Sequence, residues 1–306
     1  MAGINIEDPP LDLILEVVDS EMGPKQPKVL LFDIGGVCVV SPFQAILDYE
    51  LSLGVPPGWV NYSISKSAPN GAWHKLERGE VAIGKGFYEE FNRNLHIQSN
   101  WEQFYKREHA KNPKLDDTLP TLPKLDGEWL FNEMMTSSNR IDPWMGPALE
   151  KLKASGRYIL GALSNTIIFP EDHPLHRKNS WQSSLMDIFD VFVSSAHIGL
   201  RKPDPKIYQY AVDELTKFAR QNCNTKRNRD YGWEDGVKPS EIVFLDDIGE
   251  NLKAAKASGF GTIKVHLGRT YEAVDALEKL TGLELEGDHP KIAIKPRFTA
   301  KPKSKI

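Results

Sequence analysis

The chain places an acidic side chain directly after an apolar run and follows it with glycines. The run Val29–Phe32 ends at Asp33, and Gly35 and Gly36 come next but one. The carboxyl end of a buried parallel strand is where α/β folds bind their ligands. Glycines let the backbone approach an anion closely and turn its N–H groups toward it. Asp33 is therefore the first candidate catalytic residue.

Three further segments carry polar side chains that could join Asp33 at one sheet edge. Taken singly, each is consistent with an ordinary helix cap, a turn or a solvated lysine. The adjacent carboxylates are harder to explain in this way, because two carboxylates at a buried strand end repel each other unless a cation or a donor compensates. The segments are Ser164-Asn165, Lys202 before Pro203-Asp204-Pro205, and Asp246-Asp247.

Together these side chains supply the parts of a phosphoryl-transfer site. Asp33, Asp246 and Asp247 offer hard oxygen ligands of the kind that Mg²⁺ prefers. Ser164 and Lys202 offer a hydrogen-bond donor and a positive charge for phosphoryl oxygens. A carboxylate nucleophile, a Mg²⁺ ion and a lysine are what an aspartyl-phosphate intermediate requires.

The elements that must position these residues alternate between apolar runs and helical patterns. This alternation predicts an α/β fold with a Rossmann-like parallel sheet flanked by helices. The runs are almost continuously apolar, as expected for strands that are buried on both faces. The predicted strands are Val29–Phe32, Tyr158–Leu163, Val191–Ser194, Ile242–Leu245 and Thr262–Val265.

The gap between the first two runs is far too long for a simple crossover. Phe87, Phe91 and Leu95 recur every four residues there, which indicates a helix, and a structureless loop of this length is implausible. We predict an all-helical cap at 42–143, inserted over the mouth of the site, where it can act as a lid. The other predicted divisions are an N-terminal extension at 1–27, the α/β core at 28–41 and 144–285, a polar surface insertion at 221–238, and a basic tail at 286–306.

Composition and charge exclude several classes of protein. The net charge of −4 over 306 residues points neither to nucleic acid nor to a membrane surface. No apolar run approaches the roughly 20 residues of a membrane span, and residues 1–27 lack the pattern of a secretory signal. Two cysteines cannot form a disulfide framework, which favours a reducing compartment such as the cytoplasm. We expect Cys38 in the core and Cys223 on the surface.

The basic tail allows two interpretations. Residues 290–306 contain six Lys or Arg and no acidic residue, a composition typical of a solvated, disordered tail. The last three residues, Ser304-Lys305-Ile306, differ from the peroxisomal address Ser-Lys-Leu only in the isomeric final side chain. The second interpretation is therefore recognition by a peroxisomal import receptor.

The polar segments also occur in the order of a known motif set. Over roughly residues 28–270 the chain resembles the haloacid-dehalogenase-like hydrolase superfamily. The matching segments are Leu31–Val37, Leu163–Asn165, Lys202 with Pro203–Pro205, and Leu245–Asp247. Trp73–Glu80 and Gly199–Tyr208 resemble the branch that contains the amino-terminal phosphatase domain of soluble epoxide hydrolase and part of certain acyl-CoA dehydrogenase-like proteins. Members of that branch carry a helical cap after the first motif.

The resemblance implies a role for each matched residue. The implied phosphate-binding residues are Ser164, Asn165 and Lys202, and the implied Mg²⁺ ligands are Asp33, the Gly35 carbonyl, Asp246 and Asp247. Asp33 is also the implied nucleophile. Of the acidic pair, Asp247 is the implied direct ligand, with Asp246 beside it or behind it.

Position 35 departs from the family pattern. Active phosphatases of this superfamily usually have a second Asp there, which protonates the leaving group and later activates water. Such acid–base help is typically worth about 10²–10⁴ in rate. Gly35 leaves three interpretations open: a substrate with a good leaving group, a proton supplied by a cap residue, or loss of catalysis with a phosphate site retained. The candidate cap residues are His74, Glu77 and Glu80.

The sequence therefore predicts a Mg²⁺-dependent phosphatase that acts on a small phosphorylated metabolite. A catalytically weak or inactive binding module on the same scaffold is the second interpretation. A dehalogenase-type hydrolase, in which Asp33 forms an ester with carbon, is the third. That chemistry needs no metal, and the acidic pair Asp246-Asp247 would then be a liability.

Overall fold

A five-stranded parallel sheet forms the centre of the molecule. The structure is a computed structural model that describes residues 26–112, 115–171, 173, 185–225, 228 and 230–298. The strands are β1 (Val29–Phe32), β2 (Ile159–Ser164), β3 (Val191–Ser194), β4 (Ile242–Asp246) and β5 (Gly261–Lys264). They run in the order β3-β2-β1-β4-β5, and every neighbouring pair is parallel. The predicted α/β class and parallel sheet are confirmed.

The register brings three strand ends to one level. Phe32, the last residue of β1, pairs with Ala162 of β2 and with Leu245 of β4. The backbone N–H of Asp33 donates to the carbonyl of Leu245 at 2.9 Å. Asp33 therefore leaves the sheet directly beside Asp246, at the edge where α/β folds place their ligands.

Helices cover the sheet and also form a separate group between β1 and β2. The described helices are α1 (Pro42–Leu53), α2 (Trp59–Lys66), α3 (Ala72–Glu77), α4 (Lys85–Leu95), α5 (Gln98–Lys111), α6 (Gly127–Ser137), α7 (Met145–Ser155), α8 (Ser195–Ile198), α9 (Pro205–Gln221), α10 (Gly249–Ala257) and α11 (Tyr271–Thr281). Short 3₁₀ turns at Trp233–Asp235 and Pro239–Glu241 precede β4. The group α1 to α6 is called the helical insertion below.

The central strands β1, β2 and β4 are buried on both faces, which explains their continuous apolar runs, whereas the edge strands β3 and β5 are only partly buried. Leu30 and Phe32 point into a hydrophobic cluster that includes residues of α7 and α11. Val29 and Leu31 point to the other face, into a cluster that includes residues of α9 and α10. Successive side chains of a strand face opposite sides of the sheet. Because both sides are covered by helices, all four side chains of β1 are fully buried.

The helical insertion has its own hydrophobic cluster, built largely from aromatic side chains. Trp59 and Trp101 meet edge to face with their ring centroids 5.1 Å apart, and both are buried. Glu50 of α1 is also buried here, and its carboxylate accepts the N–H groups of Gly58 and Val60 at 2.7 Å each. Those N–H groups begin α2 and have no partner within the helix. Glu50 therefore ties the first two helices together.

Part of the segment predicted to be a polar surface insertion at 221–238 belongs to the core. Trp233 is only 3% exposed, and its ring packs on Phe218 of α9. The side-chain amine of Lys28 donates to the carbonyls of Gly232 and Gly236 at 2.7 and 3.1 Å. That prediction is wrong for this part, since one large aromatic side chain outweighs its polar neighbours. Cys38 is buried as expected, and Cys223 is half-buried.

The tail is not free over the residues that are described. Its residues are mostly exposed, but the Ile294 N–H donates to the Gly268 carbonyl at 2.9 Å. The Arg297 N–H donates to Asp48 at 2.7 Å, and its guanidinium lies 3.6 Å from both Asp48 and Glu133. Of the tail interpreted as disordered, residues 290–306, the described residues 290–298 are therefore held at Ile294 and Arg297, because partners lie on the core and on the helical insertion.

Two predictions fall outside the described residues. Residues 1–25 of the N-terminal extension and 299–306 of the tail are among them, so the address Ser304-Lys305-Ile306 stays a prediction. Within the described part of the chain, none of the helices is long and apolar enough to cross a membrane.

Candidate active site

A buried lysine joins two carboxylates at the carboxyl edge of the sheet. Lys202 Nζ lies 2.8 Å from Asp33 Oδ2 and 2.7 Å from Asp246 Oδ2. The Lys202 side chain is fully buried, and Asp33 is 6% exposed. The ammonium also lies 5.1 Å from the ring centroid of Phe244. An ammonium is tolerated at this depth because the charges of two carboxylates compensate it.

The charges of this cluster depend on one another. Burial raises the pKa of Asp33 to about 6; Lys202 opposes this shift, the charge of Asp246 adds to it, and a hydrogen bond from Ser164 opposes it. Burial alone would lower the pKa of Lys202, but the attraction of Asp246 and Asp33 outweighs it and raises the pKa above 10.5. Lys202 therefore remains an ammonium, and Asp33 is held ready as a carboxylate at neutral pH.

Asp246 is fully occupied by partners from the protein. Its carboxylate accepts the backbone N–H of Ile248 at 2.7 Å and the side-chain amide of Asn251 at 3.0 and 3.1 Å, in addition to Lys202. Asp246 is fully buried. Its place in the site is to hold Lys202, with Asn251 fixing the carboxylate from the other side.

Asp247 has the opposite character. Its Oδ1 atom is buried and has no hydrogen-bond partner among the described residues, and its Oδ2 atom reaches only the Ser41 hydroxyl, at 3.5 Å. Burial, followed by the charges of Asp246 and Asp33, raises the pKa of Asp247 well above its usual value. Asp33, Asp246 and Asp247 each present an oxygen within 4.8 Å of the other two. Carboxylate oxygens are donors that a hard cation such as Mg²⁺ prefers, so this cluster could hold one.

The two glycines after Asp33 differ in what their positions allow. Gly36 has φ of +80°, and a Cβ atom there would lie 2.2 Å from Asp247 Oδ2. A side chain at position 36 is therefore excluded by both backbone and space. At Gly35 a Cβ atom would meet only Pro42, at 3.8 Å. The absence of an acid at position 35 is thus not imposed by a lack of room near the backbone.

The second polar segment splits into two roles. Ser164 is buried, and its hydroxyl hydrogen bonds to Asp33. Asn165 instead holds the lysine segment: its Oδ1 accepts the Lys202 N–H at 2.8 Å, and its Nδ2 donates to the Lys202 carbonyl at 3.1 Å. The amide of Asn165 is thus engaged with the backbone, whereas Ser164 faces the reactive carboxylate.

The three acids and bases proposed for the helical insertion occupy different environments. Glu80 is half-exposed, pairs with Arg78 at 2.6 Å and lies outside the described cavity lining. Glu77 lines the cavity, but its carboxylate is bound to Arg201. His74 also lines the cavity, is 4% exposed, and its Nδ1 has no hydrogen-bond partner among the described residues. Burial, then the charges of Arg201 and Arg78, lowers the pKa of His74 to about 4.

A cavity of about 1330 Å³ opens in front of Asp33 and is lined from both the sheet edge and the helical insertion. That is larger than the usual ligand pocket of roughly 300–1,000 Å³. Most of its lining area is apolar, and Asp33, Ser164 and Asp247 lie in the same cavity. The apolar residues on its wall include Phe43, Trp73, Met134, Ile167 and Phe169.

Sequence reasoning missed three contributors to the site. Asn251 stands five residues after Asp246, a spacing that places it in the first turn of α10, where it reaches back to the strand end. Arg201, next to Lys202, had a recognisable charge but no visible partner. Lys264, whose amine donates to the Asp247 carbonyl, ends β5 beside β4. Only the register of the sheet reveals that last contact.

The chain is similar in sequence to two longer proteins. The chain is 29% identical to mouse acyl-CoA dehydrogenase family member 10 over 268 residues, which cover 87% of this chain and 20% of that protein. It is 26% identical to bifunctional epoxide hydrolase 2 of Sus scrofa, with 84% of this chain and 39% of that one covered. The chain thus spans well under half the length of these relatives.

A shorter relative and a family model complete the comparison. The chain is 26% identical over 182 residues to (S)-2-haloacid dehalogenase 4A of Burkholderia cepacia, which covers 57% of this chain and 67% of that enzyme. The model of the haloacid dehalogenase-like hydrolases matches residues 27–259, the range that contains strands β1 to β4, the helical insertion and all four polar segments. The chain belongs to the haloacid dehalogenase-like hydrolase family.

Proposed function

We propose that this hydrolase is a Mg²⁺-dependent phosphatase acting on a small phosphorylated metabolite. The observation that carries the proposal is the unpaired, buried Oδ1 atom of Asp247, in a cluster with Asp33 and Asp246. A buried carboxylate without a partner is costly, and a cation between Asp247 and Asp33 would remove that cost.

The residues could hold the metal without breaking the ion pair between Lys202 and Asp246. Asp33 and Asp247, together with the Gly35 carbonyl, would hold Mg²⁺, while Asp246 stays bound to Lys202 and Asn251. Bound there, Mg²⁺ would offset the charge of the phosphoryl oxygens and of the attacking carboxylate.

The chain's own groups account for the remaining steps. An oxygen of Asp33 attacks phosphorus, the bond from phosphorus to the ester oxygen breaks, and water later hydrolyses the acyl phosphate to release inorganic phosphate and restore Asp33. Ser164 and the ammonium of Lys202 bind the phosphoryl oxygens. Asn165 positions Lys202 through its backbone rather than binding phosphate itself.

His74 is the candidate on the helical insertion that could exchange a proton with the leaving group. Among the three residues proposed there, only His74 combines a place in the cavity wall with an unpaired ring nitrogen. With a pKa of about 4 it is uncharged at neutral pH, so it is a weak acid before the substrate binds. We therefore expect the enzyme to favour esters whose leaving group needs little protonation.

The cavity also narrows the class of substrate. Its mostly apolar wall faces the same space as Asp33 and Ser164. We propose a phosphate ester with a largely apolar organic part, since burial of apolar surface against such a wall is favourable.

Phosphate release from an activated aryl phosphate tests the proposal. We expect turnover that requires Mg²⁺, that falls at least about 10³-fold in Asp33→Asn, and that is lost equally in Asp247→Asn. Asp275→Asn is a matched control, because its carboxylate pairs with Lys291 at 2.8 Å and lies outside the cavity lining. Metal-independent turnover, or full activity in Asp247→Asn, would overturn the proposal.

Dehalogenase chemistry is the second candidate, favoured by the Burkholderia relative. It would use Asp33 to displace halide from a carbon atom, with no role for Asp247. Halide release from a 2-haloacid without metal, unchanged in Asp247→Asn, would establish it. Absence of both activities, with inorganic phosphate still bound in the presence of Mg²⁺, would indicate a binding module.

A further inference from the structure

One residue of the helical insertion reaches both segments that are proposed to bind phosphate. Glu77 ends α3. Its Oε2 atom lies 2.7 Å from Arg201 Nε and 2.6 Å from Nη2 of the same guanidinium. The two side chains are 9% and 19% exposed, respectively. Arg201 immediately precedes Lys202, so this ion pair holds the lysine segment in addition to the contacts of Asn165.

The backbone of Glu77 makes the second connection. The Ser195 hydroxyl donates to the Glu77 carbonyl at 2.5 Å and accepts the N–H of Thr166 at 2.8 Å. Ser195 is fully buried. Thr166 follows Ser164 and Asn165 directly, so the Ser195 hydroxyl links the serine segment to the same residue of the insertion.

A glycine allows this close approach. Gly79 has φ of +68°, and a Cβ atom there would lie 2.3 Å from the carbonyl oxygen of Ala196, a backbone atom that cannot rotate away. The insertion therefore sits against α8 only because position 79 has no side chain. These contacts involve the segment Trp73–Glu80, for which the sequence suggests only a candidate proton donor.

We propose that Glu77 is a positioning residue that couples the seating of the helical insertion to the placement of Lys202 and Ser164. With the insertion seated, Arg201 is fixed by Glu77, and the Lys202 ammonium is held between Asp33 and Asp246. With the insertion lifted, both connections break together, because they converge on one residue. The proposal rests on the phosphatase assignment for its kinetic consequence, but the coupling itself does not.

The test compares Glu77→Gln with Glu90→Gln. The control removes a carboxylate of the same insertion whose partner, Lys75 at 3.1 Å, also lies within the insertion. Two measurements do not depend on turnover. One is the affinity for inorganic phosphate in the presence of Mg²⁺, by calorimetry. The other is the distance between two spin labels, attached to cysteines introduced as Glu102→Cys in α5 and Lys256→Cys in α10. Both positions are exposed, and the background is Cys223→Ser.

We expect Glu77→Gln to weaken phosphate binding at least about tenfold, because misplacing a charged group by about 1 Å can cost up to 10² in function. The label distance should broaden toward longer values, and Gly79→Ala should reproduce both effects through the backbone. Glu90→Gln should match the wild type. In an active enzyme, kcat should fall at least about tenfold in Glu77→Gln, with a much smaller change in KM.

Unchanged label distances or unchanged phosphate affinity in Glu77→Gln would overturn the proposal, as would equal losses in Glu90→Gln. If the wild type binds phosphate with Mg²⁺ but turns over no phosphate ester, the phosphatase assignment fails. The distance and affinity measurements then still decide whether Glu77 couples the insertion to the site.

Discussion

Two adjacent aspartates at the end of β4 face opposite electrostatic situations. Asp246 accepts hydrogen bonds from Lys202, Asn251 and the Ile248 N–H. Asp247 is repelled by two neighbouring carboxylates and leaves one oxygen unpaired. We therefore expect the first aspartate to stabilise the fold and the second to cost stability when no cation is bound.

This contrast predicts opposite effects on the free energy of unfolding. In the presence of a chelator, Asp246→Asn should destabilise the protein by about 3 kcal/mol, because it leaves a buried ammonium partly uncompensated. Asp247→Asn should stabilise it by about 1 kcal/mol or more, since it removes a repelled carboxylate. Denaturant unfolding of the three proteins measures this directly. Destabilisation by Asp247→Asn without metal would contradict the account.

Adding Mg²⁺ should reverse the order of stability of the wild type and Asp247→Asn. Because a ligand that binds only the folded state stabilises it, the wild type should gain stability with rising Mg²⁺ concentration, and Asp247→Asn should not. An equal gain in the two proteins would place the metal elsewhere.

Gly35 offers a gain-of-function experiment. Since a Cβ atom at this position would contact only Pro42, Gly35→Asp should fold normally and restore a general acid. We expect the rate for aryl phosphates with poor leaving groups to rise about 10-fold or more, within the range of acid–base catalysis, with a weaker dependence on leaving-group pKa. Gly36→Ala, blocked by Asp247, is the contrasting variant and should lose activity. Equal leaving-group dependence in the wild type and Gly35→Asp would mean that another residue already donates the proton.

At the scale of elements, a buried acid links α1 to the start of α2. Burial raises the pKa of Glu50 from 4.5 to about 7, although backbone N–H groups of Val60, Gly58 and Trp59 oppose the shift. Because the folded-state pKa is the higher one, the folded state binds more protons than the unfolded state between these values. Stability therefore falls as pH rises from about 4.5 through 7.

The comparison with Glu50→Gln isolates this contribution. The difference in unfolding free energy between wild type and variant should change by about 3 kcal/mol between pH 4.5 and pH 8, in the direction of a less stable wild type at high pH. Urea titrations across this range provide the measurement. A difference that is independent of pH would show that Glu50 keeps an ordinary pKa.

The strands and their polar ends were open to sequence reasoning, whereas many tertiary partners were not. β1 has four apolar residues in a row because helices cover both faces, a pattern that sequence alone displays. The partner of Arg201, by contrast, lies 124 residues away. Trp233 lies in a polar segment of the sequence but is buried in the core, and Arg297 of the basic tail pairs with Asp48. Only the folded chain brings these partners near.

For the whole molecule, the site lies where three parts meet. The sheet supplies Asp33 and the aspartate pair, the loop before α9 supplies Lys202, and the helical insertion closes the cavity from the other side. The tail adds a further link, from Gly268 in the core to Asp48 of the insertion. If the insertion moves relative to the sheet, the proposed coupling predicts that the contacts of Glu77 restrain that movement and with it substrate access.

The central claim is that Asp33 becomes phosphorylated. The most direct measurement is mass spectrometry of the peptide that contains Asp33, after acid quenching during turnover of an aryl phosphate. The account predicts the mass of one added phosphoryl group on that peptide, present only with Mg²⁺ and absent in Asp33→Asn. Turnover without this adduct, or an alkyl ester on Asp33 formed from a 2-haloacid in the absence of metal, would contradict it.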